Sequence, residues 1–330
     1  MRYLRPLPHL HATGPRLAGG WMRFDAVEVL ERDRAPLVVP VADIPPDDLA
    51  RLITPRSPVA GIAMDRPSIM GILNVTPDSF SDGGRFLLPD AATEHAAAMA
   101  RADIVDVGGE STRPGALEVE TAEEIARILP VIDVLRGRPL SIDTRKAAVA
   151  KAALDAGASL VNDVSAMTFD PAMAATVAQA QVPVCLMHTQ GAPETMQNDP
   201  RYADVALDVY DALAARIAAA EAAGIPRSRI MVDPGIGFGK TMAHNLDLLR
   251  RIGLFHGLGL PILLGASRKK FIGTLGGAPK AADRMPGTLA VTLAAVAQGV
   301  QMHRVHDADQ IAQGLALWCE TGGSDGPVWN

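Results

Sequence analysis

The sequence predicts an α/β protein: a (β/α)8 (TIM) barrel that follows an N-terminal extension. From Ser68 onward, short β-branched runs alternate with Ala-rich helical segments about every 25–40 residues, and this alternation is typical of parallel strands joined by crossover helices. Eight such units fill about 250 residues, the usual size of a (β/α)8 barrel. At 330 residues, with 48% hydrophobic and 21% charged residues, the chain is long enough for one large α/β domain.

The first 67 residues read differently from the rest, so we divide the chain into an extension (residues 1–67) and a barrel (residues 68–330). The extension is rich in Pro and Arg, with strand-like runs at residues 26–30 and 36–41 and a turn signal at residues 45–48. We expect it to pack on the barrel. Its sequence predicts no role.

Eight strands and eight helical segments are predicted for the barrel. The strands are residues 69–74, 103–108, 139–143, 159–163, 183–188, 230–233, 261–265 and 302–306. The helical segments are residues 91–101, 122–135, 146–156, 171–180, 202–223, 245–252, 288–298 and 309–318. An open doubly wound sheet is the competing architecture. We favour the barrel because the chain lacks a dinucleotide fingerprint: the glycines of residues 235–239 have the wrong spacing, and Pro234 occupies the first glycine of a phosphate loop.

Composition excludes several classes of protein. A net charge of −6 and only 4% aromatic residues argue against a nucleic-acid-binding surface. Two cysteines, Cys185 and Cys319, predict no disulfide framework. No apolar run approaches the ~18 residues that a membrane span needs, and the N-terminus lacks the apolar core of a secretory signal. We therefore expect a cytoplasmic protein that binds neither nucleic acid nor membrane.

Each predicted strand ends in polar residues, which is the main functional signal. In a (β/α)8 barrel the active site lies at the C-terminal ends of the strands. The polar residues there are Asn74, Asp106 with residues 108–115, Asp143 with Thr144 and Arg145, Asn162 with Asp163, His188, Asp233, residues 267–270, and residues 304–307. Buried polar groups cost free energy unless they have partners, so this set predicts a ligand site.

The chemistry of that ligand follows in part from the residue types. Asp143, Asn162 and Asp233 could converge on a flat ligand with several N–H donors, such as a pterin or a purine. Lys269 could then meet a carbonyl oxygen of the ligand. Taken alone, Asp143 could also be a helix cap.

Local positive charge is expected close by. Arg304, His306 and Arg113 could bind a phosphate or diphosphate in this acidic protein. His188, at the end of another strand, could equally be a core histidine with a satisfied hydrogen bond. No His/Glu pattern predicts a zinc site.

Five motifs, in order, resemble those of dihydropteroate synthase: residues 74–84, 110–115, 233–240, 267–269 and 304–307. The resemblance extends from Ser68 to Trp318. It implies a (β/α)8 transferase of folate biosynthesis, which joins (7,8-dihydropterin-6-yl)methyl diphosphate to 4-aminobenzoate. The products are 7,8-dihydropteroate and diphosphate, formed by an SN1-like route in which diphosphate leaves first. A homodimer is also implied.

The resemblance also implies roles for individual residues. Asn74 would ligate Mg²⁺ bound to the diphosphate. The pterin would be held by Asp143, Asn162, Asp233 and Lys269, and the diphosphate by Arg304 and His306. A first mobile loop would contain Phe80, and a second would contain Thr112, Arg113 and Pro114. The two loops would build the 4-aminobenzoate pocket, which sulfonamides occupy. Asp143, Lys269, Arg304 and His306 would be the catalytic set.

Two alternatives share the barrel and the pterin site. One is a pterin-dependent methyltransferase domain that passes a methyl group to a corrinoid. It needs neither the loop at residues 76–84 nor that at residues 111–115, and we see no domain for a corrinoid partner. The other is a catalytically silent pterin-binding homologue, which the intact Asn74, Arg304 and His306 argue against. Turnover would distinguish them.

Overall fold

The computed structural model describes residues 2–75, 94, 97, 99–111, 116, 118–191 and 195–323. The chain begins with an antiparallel sheet of three strands, in the order β1 (Arg2–Pro8), β2 (Phe24–Glu31) and β3 (Leu37–Pro40), followed by helix α1 (Pro46–Ile53). Strands β2 and β3 are those predicted at residues 26–30 and 36–41.

Two elements of this extension differ from the sequence prediction. Strand β1 was not predicted, because Pro6 and Pro8 interrupt it. It lies at the edge of the sheet, where proline is tolerated, and its pairing with β2 shifts register between those two residues. The turn predicted at residues 45–48 was wrong: Pro46 starts helix α1, in a first turn where a missing N–H breaks no helical hydrogen bond.

Eight parallel strands follow in one sheet, and the predicted (β/α)8 barrel is confirmed. They are β4 (Ser68–Asn74), β5 (Ile104–Gly108), β6 (Leu140–Asp143), β7 (Leu160–Asp163), β8 (Val184–Met187), β9 (Ile230–Asp233), β10 (Leu263–Leu264) and β11 (Met302–Val305). Strand β11 pairs with β4, and β10 with β11. A parallel bridge between Val232 and Ile262 closes the ring, with the Val232 N–H donating to the Pro261 carbonyl at 3.0 Å.

Helices lie between the strands. They are α2 (Thr121–Val134), α3 (Ala147–Ala156), α4 (Met173–Ala180), α5 (Val205–Ala222), α6 (Met242–Arg250), α7 (Lys270–Leu275), α8 (Met285–Val296) and α9 (Ala308–Trp318). Each of these helices overlaps a predicted segment except α7, which is only six residues long. The helical segment predicted at residues 91–101 falls mostly outside the described residues. Local signals fix some starts: the Asp204 carboxylate accepts from the N–H groups of Ala206 and Leu207 at the start of α5.

The interior of the barrel is closed at its N-terminal end. Every residue of β6, β7, β8 and β9 is buried, as expected for parallel strands covered on both faces. The apolar cluster at this end contains Met70, Ile104, Leu160, Cys185, Met231, Leu263 and Met302. Val59, Ile62 and Met64, from the segment before β4, pack against that cluster. Among the described residues, this end of the barrel is therefore filled by apolar side chains, and the polar residues lie at the C-terminal end.

The N-terminal sheet packs on the side of the barrel. Tyr3 and Trp21 are 1% and 2% exposed and belong to the main hydrophobic core. The Tyr3 hydroxyl donates to Asp211 of α5 at 2.8 Å, and the Trp21 indole N–H donates to the carbonyl of Val296, at the end of α8, at 3.0 Å. The extension thus contributes side chains to the core of the barrel. No helix in the described ranges has the length and apolar character needed to cross a membrane.

Candidate active site

Strand register places four site positions in one row across the barrel mouth. Asn74 pairs with Gly108, Gly108 with Asp143, and Asp143 with Asn162. Gly108 has no side chain, and a Cβ at that position would lie 3.5 Å from Asn74 Oδ1 and 3.5 Å from the Asp143 Cβ. The Asn74 amide and the Asp143 carboxylate therefore flank the same gap.

Arg304 joins this row to the last barrel strand. Its Nε donates to Asp106 at 2.5 Å, and its Nη2 donates to Asp143 at 2.6 Å. Asn162 Nδ2 also donates to the Asp106 oxygen that Arg304 contacts, at 3.1 Å. Four side chains from β5, β6, β7 and β11 thus form one hydrogen-bonded cluster, which we call the Arg304 cluster: Arg304, Asp106, Asp143 and Asn162.

Asp106 is the member of this cluster that the sequence analysis listed among the polar strand-end residues without giving it a role. It is fully buried, in the middle of the apolar strand β5. A carboxylate at such a position is costly unless a cation accompanies it. The presence of an Asp inside an apolar strand was therefore the sequence signal that could have identified it as a site residue. Asp106 positions both Arg304 and Asn162.

The Arg304 cluster holds one cation for two carboxylates. The second oxygens of Asp106 and Asp143 are buried and have no hydrogen-bond partner among the described residues. Burial raises the pKa of Asp143 to about 7; Arg304 acts in the opposite direction, and the neighbouring Asp106 adds to the increase. The cluster therefore has spare acceptor capacity for a ligand that brings N–H groups.

A second set of groups follows strand β9. Asp233 Oδ1 accepts from the Gly235 N–H at 2.7 Å, and burial raises the pKa of Asp233 to about 6. Gly237 has a φ of +84°, and a Cβ there would come within 3.2 Å of the Lys269 side chain. Lys269 Nζ lies 4.2 Å from the centroid of the Phe238 ring, within cation–π distance. Phe238 was also missed as a site residue.

Lys240 fixes the loop that carries Phe238. Its ammonium is 2.9 Å from His188 Nδ1 and donates to the Phe238 carbonyl at 2.9 Å. Burial lowers the pKa of Lys240 to about 7, and burial followed by the nearby Lys240 lowers the pKa of His188 to about 3. His188 is thus neutral and accepts a hydrogen bond from Lys240.

His306 is oriented by Ser267. The Ser267 hydroxyl accepts from the His306 backbone N–H at 3.1 Å and lies 3.0 Å from His306 Nδ1. The hydroxyl can donate to a bare Nδ1 or accept from a protonated one, so this contact orients the ring in either tautomer. Next to it, Arg268 Nε donates to Asp307 at 2.9 Å. Ser267 therefore holds the His306 ring in place through Nδ1.

Six predicted site residues lie on or directly after the C-terminal ends of the barrel strands: Asn74, Asp143, Asn162, Asp233, Arg304 and His306. A seventh, Lys269, lies in the loop after β10, immediately before α7. Register or direct contact brings together Asn74, Asp143, Asn162 and Arg304. The other four predicted residues, Phe80, Thr112, Arg113 and Pro114, lie outside the described residues. The described ranges contain no group of three or more His, Cys, Asp or Glu residues arranged to hold a metal.

The raised pKa values of Asp143 and Asp233 predict how stability depends on pH. Between about pH 4 and pH 7 the folded protein holds protons that the unfolded chain has lost, so the free energy of unfolding should fall as the pH rises. Asp143→Asn should reduce this slope by up to about 1.4 kcal/mol per pH unit. Urea unfolding at fixed pH values measures it, with the exposed Asp155→Asn as the control. An unchanged slope in Asp143→Asn would contradict the assignment.

Comparison with known proteins identifies what this barrel is similar to. A family model described as "Pterin binding enzyme" matches residues 70–306. The dihydropteroate synthase of Synechocystis is 44% identical over 284 residues, which is 82% of this chain and 98% of that protein. A structure of the Xanthomonas albilineans dihydropteroate synthase with 4-aminobenzoic acid is 44% identical, with a TM-score of 0.76 and coverage of 81% and 98% of the two chains. A sulfonamide complex of the Yersinia pestis enzyme is 43% identical, with a TM-score of 0.75 and coverage of 79% and 96%.

Proposed function

This chain belongs to the pterin-binding enzyme family, and we propose that it acts as a dihydropteroate synthase. In the reaction, the bond between the pterin methylene carbon and diphosphate breaks, and a bond forms between that carbon and the amine nitrogen of 4-aminobenzoate. The amine loses one proton. The observation that carries the proposal is the Arg304 cluster, a partly buried cation shared by two buried carboxylates at the barrel mouth, in register with Asn74.

The pterin fits the acceptor side of the site. A pterin edge presents several N–H donors, and Asp143, Asn162 and Asp233 offer buried oxygen acceptors from three strands. The buried oxygen of Asp143 that has no partner among the described residues suits such a donor. Lys269, held beside the Phe238 ring, would donate to the pterin carbonyl.

The diphosphate would lie against Arg304 and His306. Arg304 already uses Nε and Nη2 for carboxylates, so its remaining terminal nitrogen, Nη1, is the one directed to a phosphate oxygen. His306, whose ring is oriented by Ser267 through Nδ1, would bind the diphosphate through its imidazole. Arg304 would therefore connect the carboxylates that hold the pterin to the leaving group.

The SN1-like route suits these groups. As diphosphate departs, Arg304 and His306 stabilise the negative charge that develops on it. The resonance-stabilised methylene cation that remains is stabilised by the Asp143 carboxylate. The arylamine is a weak nucleophile that attacks this strong electrophile without a dedicated base. Exclusion of water is then essential, because water would convert the cation to an alcohol.

Asn74 is the residue that would hold Mg²⁺. Its amide oxygen is a hard donor at the mouth, and Mg²⁺ is usually bound by one or two protein oxygens together with substrate phosphates and water. When bound, the ion would neutralise diphosphate charge. We expect Asn74→Ala to weaken Mg²⁺-dependent diphosphate binding about tenfold, or ~1.4 kcal/mol. Calorimetry of diphosphate binding with and without Mg²⁺ measures this loss of affinity, with the exposed Asn198→Ala as the control. Equal Mg²⁺ dependence of binding in Asn74→Ala and the wild type would reject Asn74 as a Mg²⁺ ligand.

Phe80, Thr112, Arg113 and Pro114 are proposed to build the 4-aminobenzoate pocket.

A homodimer is also proposed. An apolar cavity of about 570 Å³ between α6, α7 and α8, lined by residues such as Leu246, Phe271 and Val291, supports a contact on that side. The mass of the purified protein in solution tests it.

The decisive experiment measures diphosphate release from the purified protein with the pterin diphosphate and Mg²⁺, with and without 4-aminobenzoate. Release that depends on 4-aminobenzoate and yields 7,8-dihydropteroate supports the synthase. Pterin binding without any product would instead indicate the silent homologue. Methyl transfer from methyltetrahydrofolate to a corrinoid would indicate the methyltransferase.

A further inference from the structure

The backbone of Arg268 has an unusual conformation in the middle of the site. Its φ is +55°, in the left-handed region that residues with a side chain rarely adopt. The Lys269 N–H donates to the Ala266 carbonyl at 3.4 Å, so residues 266–269 form a tight turn with Arg268 in its third position. A turn whose third residue alone has a positive φ is a type II turn, and that position normally holds glycine. An arginine in the place that suits glycine indicates that the side chain itself has a task.

Hydrogen bonds hold both the backbone and the side chain of Arg268. The backbone N–H donates to Thr288 Oγ1 at 3.0 Å, and the carbonyl accepts from Arg284 Nη1 at 2.9 Å. The guanidinium donates to both oxygens of Asp307, from Nε at 2.9 Å and also from Nη2. Paired bonds between a guanidinium and a carboxylate fix geometry as well as charge. A strained backbone persists where its surroundings over-determine it, and such places cluster at functional sites.

The Arg268–Asp307 pair joins two chain segments at the mouth of the barrel. The ladder between β10 and β11 ends before these residues. Beyond it, Ser267 bonds to His306, and Arg268 bonds to Asp307. The side chains of the ion pair are 29% and 12% exposed, so water screens it only in part. Two successive side-chain links therefore fix residues 267–269 against residues 306–307.

Both members of the pair are next to residues of the site. Lys269 follows Arg268 directly along the chain, and its Nζ lies 4.2 Å from the centroid of the Phe238 ring. His306 directly precedes Asp307. The ion pair thus sets the distance between the backbone that carries Lys269 and the backbone that carries His306.

We propose that Arg268 and Asp307 are positioning residues, which hold Lys269 and His306 at the separation that the pterin diphosphate requires. This inference rests on the proposed function, which assigns Lys269 to the pterin and His306 to the diphosphate. A substrate that must reach both groups at once is sensitive to their separation, whereas a pterin or a diphosphate alone needs only one of them. Misplacement of a binding group by about 1 Å can cost about a hundredfold in rate.

Two substitutions loosen the pair in different ways. Asp307→Asn keeps the shape of the side chain and removes its charge. Arg268→Gly removes the guanidinium and suits the left-handed backbone, so it is the variant expected to fold. Asp247→Asn is the control for the loss of an ion pair, because Asp247 pairs with Arg251 at the end of α6. Gln181→Gly, at a φ of +54° after α4, is the control for the relief of backbone strain.

Calorimetry tests the proposal with the pterin diphosphate, 6-hydroxymethyl-7,8-dihydropterin and inorganic diphosphate as separate probes, each in the presence of Mg²⁺. In Asp307→Asn and Arg268→Gly we expect the affinity for the pterin diphosphate to fall about tenfold, with the affinity for each smaller probe within about twofold of the wild type. We expect KM for 4-aminobenzoate to stay within about twofold. Asp247→Asn and Gln181→Gly should bind every probe as the wild type does.

Three patterns of binding would overturn the proposal. An equal loss of affinity for every probe would mean a general defect of the fold. A comparable loss for inorganic diphosphate in Arg268→Gly would mean that Arg268 is itself a ligand of the diphosphate. Unchanged affinity for the pterin diphosphate would mean that the pair does not set the separation.

Failure of the proposed function is distinguishable from failure of this inference. If the wild-type protein forms no dihydropteroate, the proposed function fails. Hydrogen exchange at the His306 amide, which donates to Ser267 Oγ, then decides whether the pair holds the two segments together. Faster exchange in Asp307→Asn and Arg268→Gly retains that role, and exchange at the wild-type rate rejects it.

Discussion

Arg304→Ala is expected to lower turnover about a thousandfold, because Arg304 would stabilise charge on the departing diphosphate; removing one such preorganised donor typically costs about 10²–10³ in kcat. The variant also leaves Asp106 and Asp143 buried without their shared cation. Breaking a buried pair in this way costs about 3–5 kcal/mol of folding stability. Diphosphate affinity should fall further than 4-aminobenzoate affinity.

Arg304→Lys is the matched control for this prediction. It keeps the positive charge but cannot bridge both carboxylates with a planar fork, so it should recover part of the stability and little of the activity. Steady-state kinetics and thermal unfolding of both variants separate the two effects. Arg304→Ala activity within tenfold of the wild type, in a folded protein, would remove Arg304 from the mechanism.

The strands of the barrel were predictable because their signal is local. Short apolar runs bounded by Gly, Pro and Asp reveal parallel strands buried on both faces, and the sequence predicts strand β9 at the residues observed, Ile230–Asp233. The location of the site followed from the same runs, because the active site of a (β/α)8 barrel lies at the C-terminal ends of its strands.

The pairing inside the site could not be predicted, because it depends on long-range contacts. Asp106 and Arg304 are 198 positions apart, and only the closed barrel places them at 2.5 Å. Strand β1 was missed for a related reason: two prolines argue against a strand locally, but the edge position that tolerates them is a property of the whole sheet.

Removing the Asp233 carboxylate is expected to abolish tight pterin binding in a protein that still folds. Burial raises the pKa of Asp233 to about 6, which means that the folded protein gains nothing from its negative charge. The charge therefore serves a ligand, and the contribution of the side chain to the fold is the hydrogen bond that it accepts from the Gly235 N–H. Each hydrogen bond to a charged group is worth about 1.5–3 kcal/mol, and two such bonds to a pterin edge correspond to a loss of about 10²–10⁴ in affinity.

Asp233→Asn and Asp233→Ala separate the two roles of this side chain. Asn keeps an oxygen that can accept from the Gly235 N–H, whereas Ala leaves that buried donor without a partner. Both variants should lose pterin affinity equally in calorimetry, but only Ala should lose stability, by about 1–3 kcal/mol. The exposed Asp155→Asn should behave as the wild type. Tight pterin binding by Asp233→Asn would show that the pterin edge does not contact Asp233. Asp143 and Asn162, which are assigned to the same edge, would then lose that assignment as well.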